Sequence, residues 1–161
     1  LHKQKLLQGL LEFQGLKGRG GRLSTEDGIM IIDDSYNASP DSMKASLKVL
    51  ASEKGAKRKI AVLGDMNELG DNEIAYHREI GEFLKSLPID ALFTLGKKGE
   101  EIRKAMGEKL LPGTACFSLE ELSIALEKEI KPGDLLLFKA SNSLSLSKVI
   151  QEIRSKHCSP K

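Results

Sequence analysis

Apolar positions divide the chain into short segments whose period switches between helix and strand. Leu6, Leu7, Leu10, Leu11 and Phe13 recur at near-helical spacing over residues 4–13, and Gly15, Gly18, Gly20 and Gly21 then break the pattern. A linking helix followed by a turn is expected. Residues 22–25 and 29–33 flank Glu26, Asp27 and Gly28, which predicts a hairpin whose second strand, IMII, is buried. Beyond Pro40, Met43, Leu47 and Leu50 share one helical face, with Pro40 or Asp41 suited to the first turn. The runs 60–63, 91–95 and 135–138 are short and apolar, as buried parallel strands are, and a further short strand is expected around Cys116. Helical patterns fill the intervals at about 72–87 and 98–106. Ser118 and Glu121 would open another helix, to Ile130, as a capping box, and a last helix covers 144–153.

This alternation predicts an α/β fold: a Rossmann-like, mostly parallel sheet with helices on both faces, entered through a short β-hairpin. In such sheets ligands sit outside the carboxyl ends of the strands, which selects the loops 33–40, 64–70 and 139–143. A chain of 161 residues suffices for one domain with a real core. Its 25 basic and 23 acidic residues nearly cancel, and no basic face appears, which argues against a nucleic-acid partner. No apolar stretch approaches the roughly 20 residues that span a bilayer, so no membrane partner and a cytoplasmic location are expected. Cys116 and Cys158 lack metal-ligand spacing, and no metal site is expected. The first residue, Leu1, is not an initiator Met, so a fragment of a longer chain is expected.

The three loops carry the candidate chemistry. DDSYNASPDSM, residues 33–43, packs two carboxylates, a phenol and an amide between a buried strand and a helix start. A local role, satisfying turn amides, and a ligand-binding role weigh equally there. In GDMNELG, residues 64–70, Asp65 either caps the following turn or orients a neighbouring cation, with capping preferred. His77 shares the expected apolar face with Ile74, Ile80 and Leu84 and reads as a core residue. Lys139 follows LLLF at a strand end, so its ammonium should project toward the cleft, as a ligand for phosphate or carboxylate.

The first of these strings resembles the D-D-x-Y-N-A-x-P-x-S-M signature that opens the third domain of the muramyl ligase family. KGR at 17–19, GDMNELG at 64–70 and KASNS at 139–143 follow the family order. Tyr36 and Asn37 are similar to the branch that joins D-alanyl-D-alanine to UDP-N-acetylmuramoyl-tripeptide in peptidoglycan precursor synthesis, and differ from folate and poly-amino-acid ligase relatives. The resemblance implies that residues 1–16 are a linking helix from a central ATPase domain and that 17–161 form the carboxy-terminal domain. The chain's own amino-terminal and central domains would be its partners. ATP and Mg2+ would be held mainly by the central domain, and an acyl phosphate would be attacked by the dipeptide amine. It further implies that Arg19, with Arg22 as the competing assignment, reaches the nucleotide phosphates. Asp34 would contact the ribose, with Tyr36 and Asn37 against the base, and Lys139, Ser141 and Asn142 would meet the dipeptide. No catalytic residue is assigned to this segment. The family's K-G-S-R reads Lys139, Ala140, Ser141, Asn142 here, which removes a guanidinium able to grip a carboxylate bidentately. No G-x-x-x-x-G-K-[ST] phosphate loop occurs, so the chain alone should be inactive. A free-standing, non-catalytic nucleotide-binding module of the same fold is the alternative, and an upstream phosphate loop would exclude it.

Overall fold

The computed structural model describes residues 18–157. The linking helix expected at 4–13 lies outside them. Strand β1 (Gly21–Ser24) pairs antiparallel with β2 (Met30–Asp33), from Gly21 opposite Asp33 to Ser24 opposite Met30. Thr25 closes the turn by donating its N–H to Ile29 O at 2.8 Å and accepting the Ile29 N–H on its hydroxyl at 2.9 Å. Helix α1 (Pro40–Ser52) starts at a serine pair, in which Ser39 Oγ accepts the Ser42 N–H and Ser42 Oγ accepts the Ser39 N–H, while Pro40 has no N–H to satisfy. Its Met43, Leu47 and Leu50 are fully buried, as the spacing predicts.

The chain continues as β3 (Arg58–Gly64), a 3₁₀ turn (Gly70–Asn72), α2 (Glu73–Leu84), β4 (Ala91–Leu95), α3 (Lys97–Met106), a second 3₁₀ turn (Gly107–Lys109), β5 (Ala115–Cys116), α4 (Leu119–Glu129), β6 (Asp134–Lys139), a third 3₁₀ turn (Asn142–Leu144) and α5 (Leu146–His157). The sheet order is β1-β2-β6-β3-β4-β5, and every pairing except β1 with β2 is parallel. Three successive crossovers, from β2 to β5, run in one direction along the sheet. A fixed crossover hand therefore lays α1, α2 and α3 on one face, where Leu47, Ile80 and Ile102 meet Ala61, Leu63 and Leu137. The return from β5 to β6 runs backwards and sends α4 to the other face, joined there by α5; Leu122, Leu126, Val149 and Ile153 cover Val62, Phe93 and Phe138.

At the amino ends of β3 and β6, Arg58 grips the buried Asp134 bidentately, Nε to Oδ1 at 2.9 Å and Nη2 to Oδ2 at 2.7 Å, and also reaches Glu129. These bonds raise the guanidinium pKa above its ordinary value, Asp134 contributing first. This clamp lies at the end of the sheet opposite the candidate loops.

Some expected boundaries shift for local reasons. The helix expected at 72–87 ends at Leu84, ahead of Leu87, which Pro88 steers away from helical backbone. Its buried face is narrower than the pattern implies, because Ile74 is exposed while His77, Ile80 and Leu84 are buried. Only half of the expected capping box forms: Ser118 Oγ accepts the Glu121 N–H at 3.1 Å, but the Glu121 carboxylate accepts from Phe117 N, not from Ser118 N. The last helix begins at Leu146 because the preceding turn is 3₁₀ and Ser145 takes a left-handed φ of 56°. Among the described residues no helix is long and apolar enough to cross a membrane.

Candidate functional site

Strands β2 and β6 are neighbours, yet the helices that follow them, α1 and α5, leave to opposite faces. Their loops must part, and the parting opens a crevice at the carboxyl ends. A cleft of ≈ 370 Å³ lies there, walled by Arg19, Asp34, Tyr36, Asn37, Ser42 and Lys139 among others.

Each wall residue is held from behind. Asp33 is buried and turns inward, its Oδ1 accepting the Ser35 hydroxyl at 2.5 Å and the Ser35 N–H at 3.2 Å, which leaves Asp34 to face the cleft. Asp34 N–H donates to Phe138 O at 2.9 Å, tying the loop to β6. Asp34 Oδ2 accepts from Lys139 Nζ at 2.8 Å and from the Ser46 hydroxyl of α1, while among the described residues Oδ1 accepts no bond. Lys139 is 3% exposed, and its ammonium also donates to Asn37 O at 3.0 Å. It lines the cleft as the strand-end position implies, but as the anchor of Asp34.

The entry segment supplies the opposite wall. Gly18 O accepts the Tyr36 N–H at 2.7 Å, and Gly18 has φ 77° with its α-carbon so near that a Cβ would stand 2.9 Å from Tyr36 N. Only glycine meets both conditions. Arg19 then places its guanidinium 4.1 Å from the Tyr36 ring centre, with no carboxylate partner among the described residues. Tyr36 is 47% exposed and presents a large aromatic surface at the cleft. Arg22 points elsewhere and pairs with Glu53 at the end of α1. Of the two arginines, only Arg19 stands at the cleft.

The other loops are braced to each other. Asp65 caps a helix, but not the turn that follows it: its Oδ1 accepts the Gly99 N–H of α3 at 2.6 Å, and its carboxylate lies so close to Gly96 that a Cβ there would overlap it. Ser141 is buried; its N–H donates to Asp65 O at 3.0 Å and its hydroxyl accepts the Asn67 N–H at 2.8 Å. Asn142 is exposed, with a side chain bonded to no other described residue. Thus Lys139 joins Arg19, Asp34, Tyr36 and Asn37 at one cleft, while Ser141 and Asn142 sit beside the second loop. His77 is wholly buried: Nε2 accepts the Met66 N–H at 2.9 Å and Nδ1 pairs with Glu73 O at 2.6 Å. Burial lowers its pKa and keeps it neutral. Cys116 is also buried, which pushes its thiol pKa up. The sequence reading missed Ser46, which holds Asp34; its signal is a serine on the face of α1 one turn beyond Ser42.

Chemically, the cleft offers an exposed aromatic ring and, among the described residues, a carboxylate oxygen free to meet a hydroxyl and a cation without a counter-charge. Fold and cleft together define a doubly wound α/β domain with a binding crevice at its strand ends. The Mur ligase, glutamate ligase domain family matches residues 18–142, and the chain belongs to that family. It is 38% identical over 144 residues to the UDP-N-acetylmuramoyl-tripeptide–D-alanyl-D-alanine ligase of Bacillus subtilis (strain 168), covering 86% of this chain and 32% of that protein. The chain thus spans about a third of that relative's length. Among solved structures, MurF from Acinetobacter baumannii matches with TM-score 0.75 and 28% identity over 94% of this chain and 33% of that one. MurF ligase from Thermotoga maritima in complex with ADP matches with TM-score 0.72 and 29% identity, over 98% of this chain and 36% of that one.

Proposed function

We propose that the chain is the carboxy-terminal domain of an ATP-dependent ligase that joins D-alanyl-D-alanine to UDP-N-acetylmuramoyl-tripeptide in the cytoplasm, with the nucleotide entering the cleft between β2 and β6. The observation that carries this reading is the convergence of Arg19, Asp34, Tyr36, Asn37 and Lys139 on one crevice. It is supported by the likeness to the Bacillus subtilis ligase that carries this activity, 38% identical to this chain.

The residues suit a nucleotide. Asp34, pinned through Oδ2 by Lys139 and Ser46, keeps Oδ1 in a fixed direction for a ribose hydroxyl. Tyr36 and Asn37 offer a ring face and an amide to the base, and Arg19, paired with no carboxylate among the described residues, is the cation for phosphates. ATP with its Mg2+ would supply the activated phosphate that makes the tripeptide carboxyl an acylating group. In this reading a central domain of the ligase holds most of the triphosphate and the metal, residues 1–16 link to it, and the loop from Lys139 to Asn142 faces the dipeptide.

Without the phosphate cradle, the chain by itself should bind ATP only in the millimolar range, about −4 kcal/mol. Asp34→Ala and Tyr36→Ala should each abolish measurable binding in a calorimetric titration. Micromolar affinity that survives both substitutions overturns the assignment of the nucleotide to this cleft.

A further inference from the structure

The Asn67 carboxamide joins three separate segments of the fold. Its Nδ2 donates to Ser143 Oγ at 2.8 Å, in the loop after β6, and its Oδ1 accepts from Lys98 Nζ of α3 at 2.9 Å. Lys98 is held in turn by Glu73 Oε2 of α2 at 3.2 Å. The main chain of the same residue donates to Ser141 Oγ. Strands β3 and β6 are paired with Leu63 opposite Lys139, so these two loops leave adjacent strands side by side. They still need a tie, because residues 142–145 are a 3₁₀ turn ended by a left-handed serine, and Asn142 and Ser143 are exposed. A primary amide suits the junction, carrying one acceptor and donors in a single plane.

We infer that Asn67 is a positioning residue for the incoming amine substrate: through Ser143 and Lys98 it fixes the loop that carries Asn142, whose free carboxamide meets the terminal carboxylate of that dipeptide. This rests on the proposed reading of the loop as the dipeptide wall. Asn67 touches no reacting atom; its effect is to hold the exposed residues of the turn in one place before the substrate arrives, while Leu144 packs against the core, so that the ordering cost is not charged to binding.

The test uses the full-length enzyme and steady-state kinetics with dipeptide and ATP varied separately. Ser143→Ala should raise KM for the dipeptide about three- to tenfold, the range of one lost neutral hydrogen bond, and Asn67→Ala, which also loses the bond from Lys98, at least as much, while KM for ATP stays unchanged and kcat moves less than KM. The double variant should be no worse than Asn67→Ala, since the bond that Ser143→Ala removes is already lost there. Asn67→Asp should return KM to within about twofold of the parent, because a carboxylate still accepts from Lys98 and can accept the Ser143 hydroxyl. Dipeptide KM unchanged in Asn67→Ala and Ser143→Ala but raised in Asn142→Ala overturns the inference and leaves the proposed function standing. An equal rise in KM for both substrates also overturns it, since that marks a general disturbance of the fold. If Asn142→Ala leaves dipeptide KM unchanged and Asp34→Ala leaves ATP KM unchanged, the proposed function itself fails.

Discussion

At the scale of single residues, the informative positions are those whose polar atoms have no water to turn to. The Met66 N–H can only donate, so His77 Nε2 must accept and the ring proton sits on Nδ1, facing Glu73 O. Protonating Nε2 would set a donor against a donor in a buried site, and burial accordingly keeps the folded-state pKa below the ordinary 6.5. Between the folded and unfolded values the unfolded chain binds more protons, so stability rises with pH there. The His77 contribution is present above about pH 6.5 and declines as pH falls through the folded value. Urea midpoints should drop between about pH 7.5 and about pH 5.5, and the drop should be smaller in His77→Phe, which titrates nothing. The variant should be less stable at neutral pH by about 1–3 kcal/mol, for the unpaired Met66 N–H. Parallel pH profiles would remove His77 as the source. That His77 belongs to the core was legible from its spacing; its bond to Met66 was not, because residues 66 and 77 meet only after the loop folds back onto α2. Asp65 illustrates the same limit. A capping carboxylate was readable, but its helix, α3, begins more than thirty residues later in the chain.

At the scale of elements, period and punctuation were enough to find all six described strands and all five described helices, since each buries one stripe or one face. What the pattern could not supply is the distance between elements. Gly81 reads as an ordinary weak point of a helix, yet a Cβ there would overlap Ile102 O and stand 2.7 Å from Ala105 Cβ, so α2 and α3 approach to backbone contact at that point. Gly81→Ala should therefore destabilise by about 1–3 kcal/mol through overpacking, even though alanine is favoured over glycine in a helix by about 1 kcal/mol. Thermal or urea unfolding decides the sign, and a more stable variant would mean that the two helices can part freely. The Gly64 and Ala140 pair follows the same logic across β3 and β6: a Cβ on Gly64 would come within 2.7 Å of Ala140 Cβ, so the glycine that ends β3 makes room for the methyl group that follows β6.

At the scale of the whole molecule, the order of the strands decides where chemistry can happen, and that order was only partly readable. Alternating elements implied a parallel sheet with strand-end loops, but not that β6 inserts between β2 and β3, which is what brings Lys139 to Asp34 across 105 positions of chain. In the proposed reading the cleft is one wall of a site, with contacts for a base and a ribose, and the sequence carries no phosphate loop. Phosphate release by this chain, given ATP, Mg2+, the UDP-tripeptide and the dipeptide, should stay at background, because acyl-phosphate formation needs positioned phosphates and metal. Turnover comparable to a full-length ligase would show that the wall is sufficient by itself. The entry segment adds a mechanical property. Gly18 O is bonded to Tyr36 N, Gly20 N is bonded to Asp33 O, and Arg19 hangs between them over the aromatic ring. Two rivets therefore fasten the incoming strand to the rim of the crevice, and a pull or twist on the backbone at residue 18 is delivered to the guanidinium and the tyrosine without crossing the core.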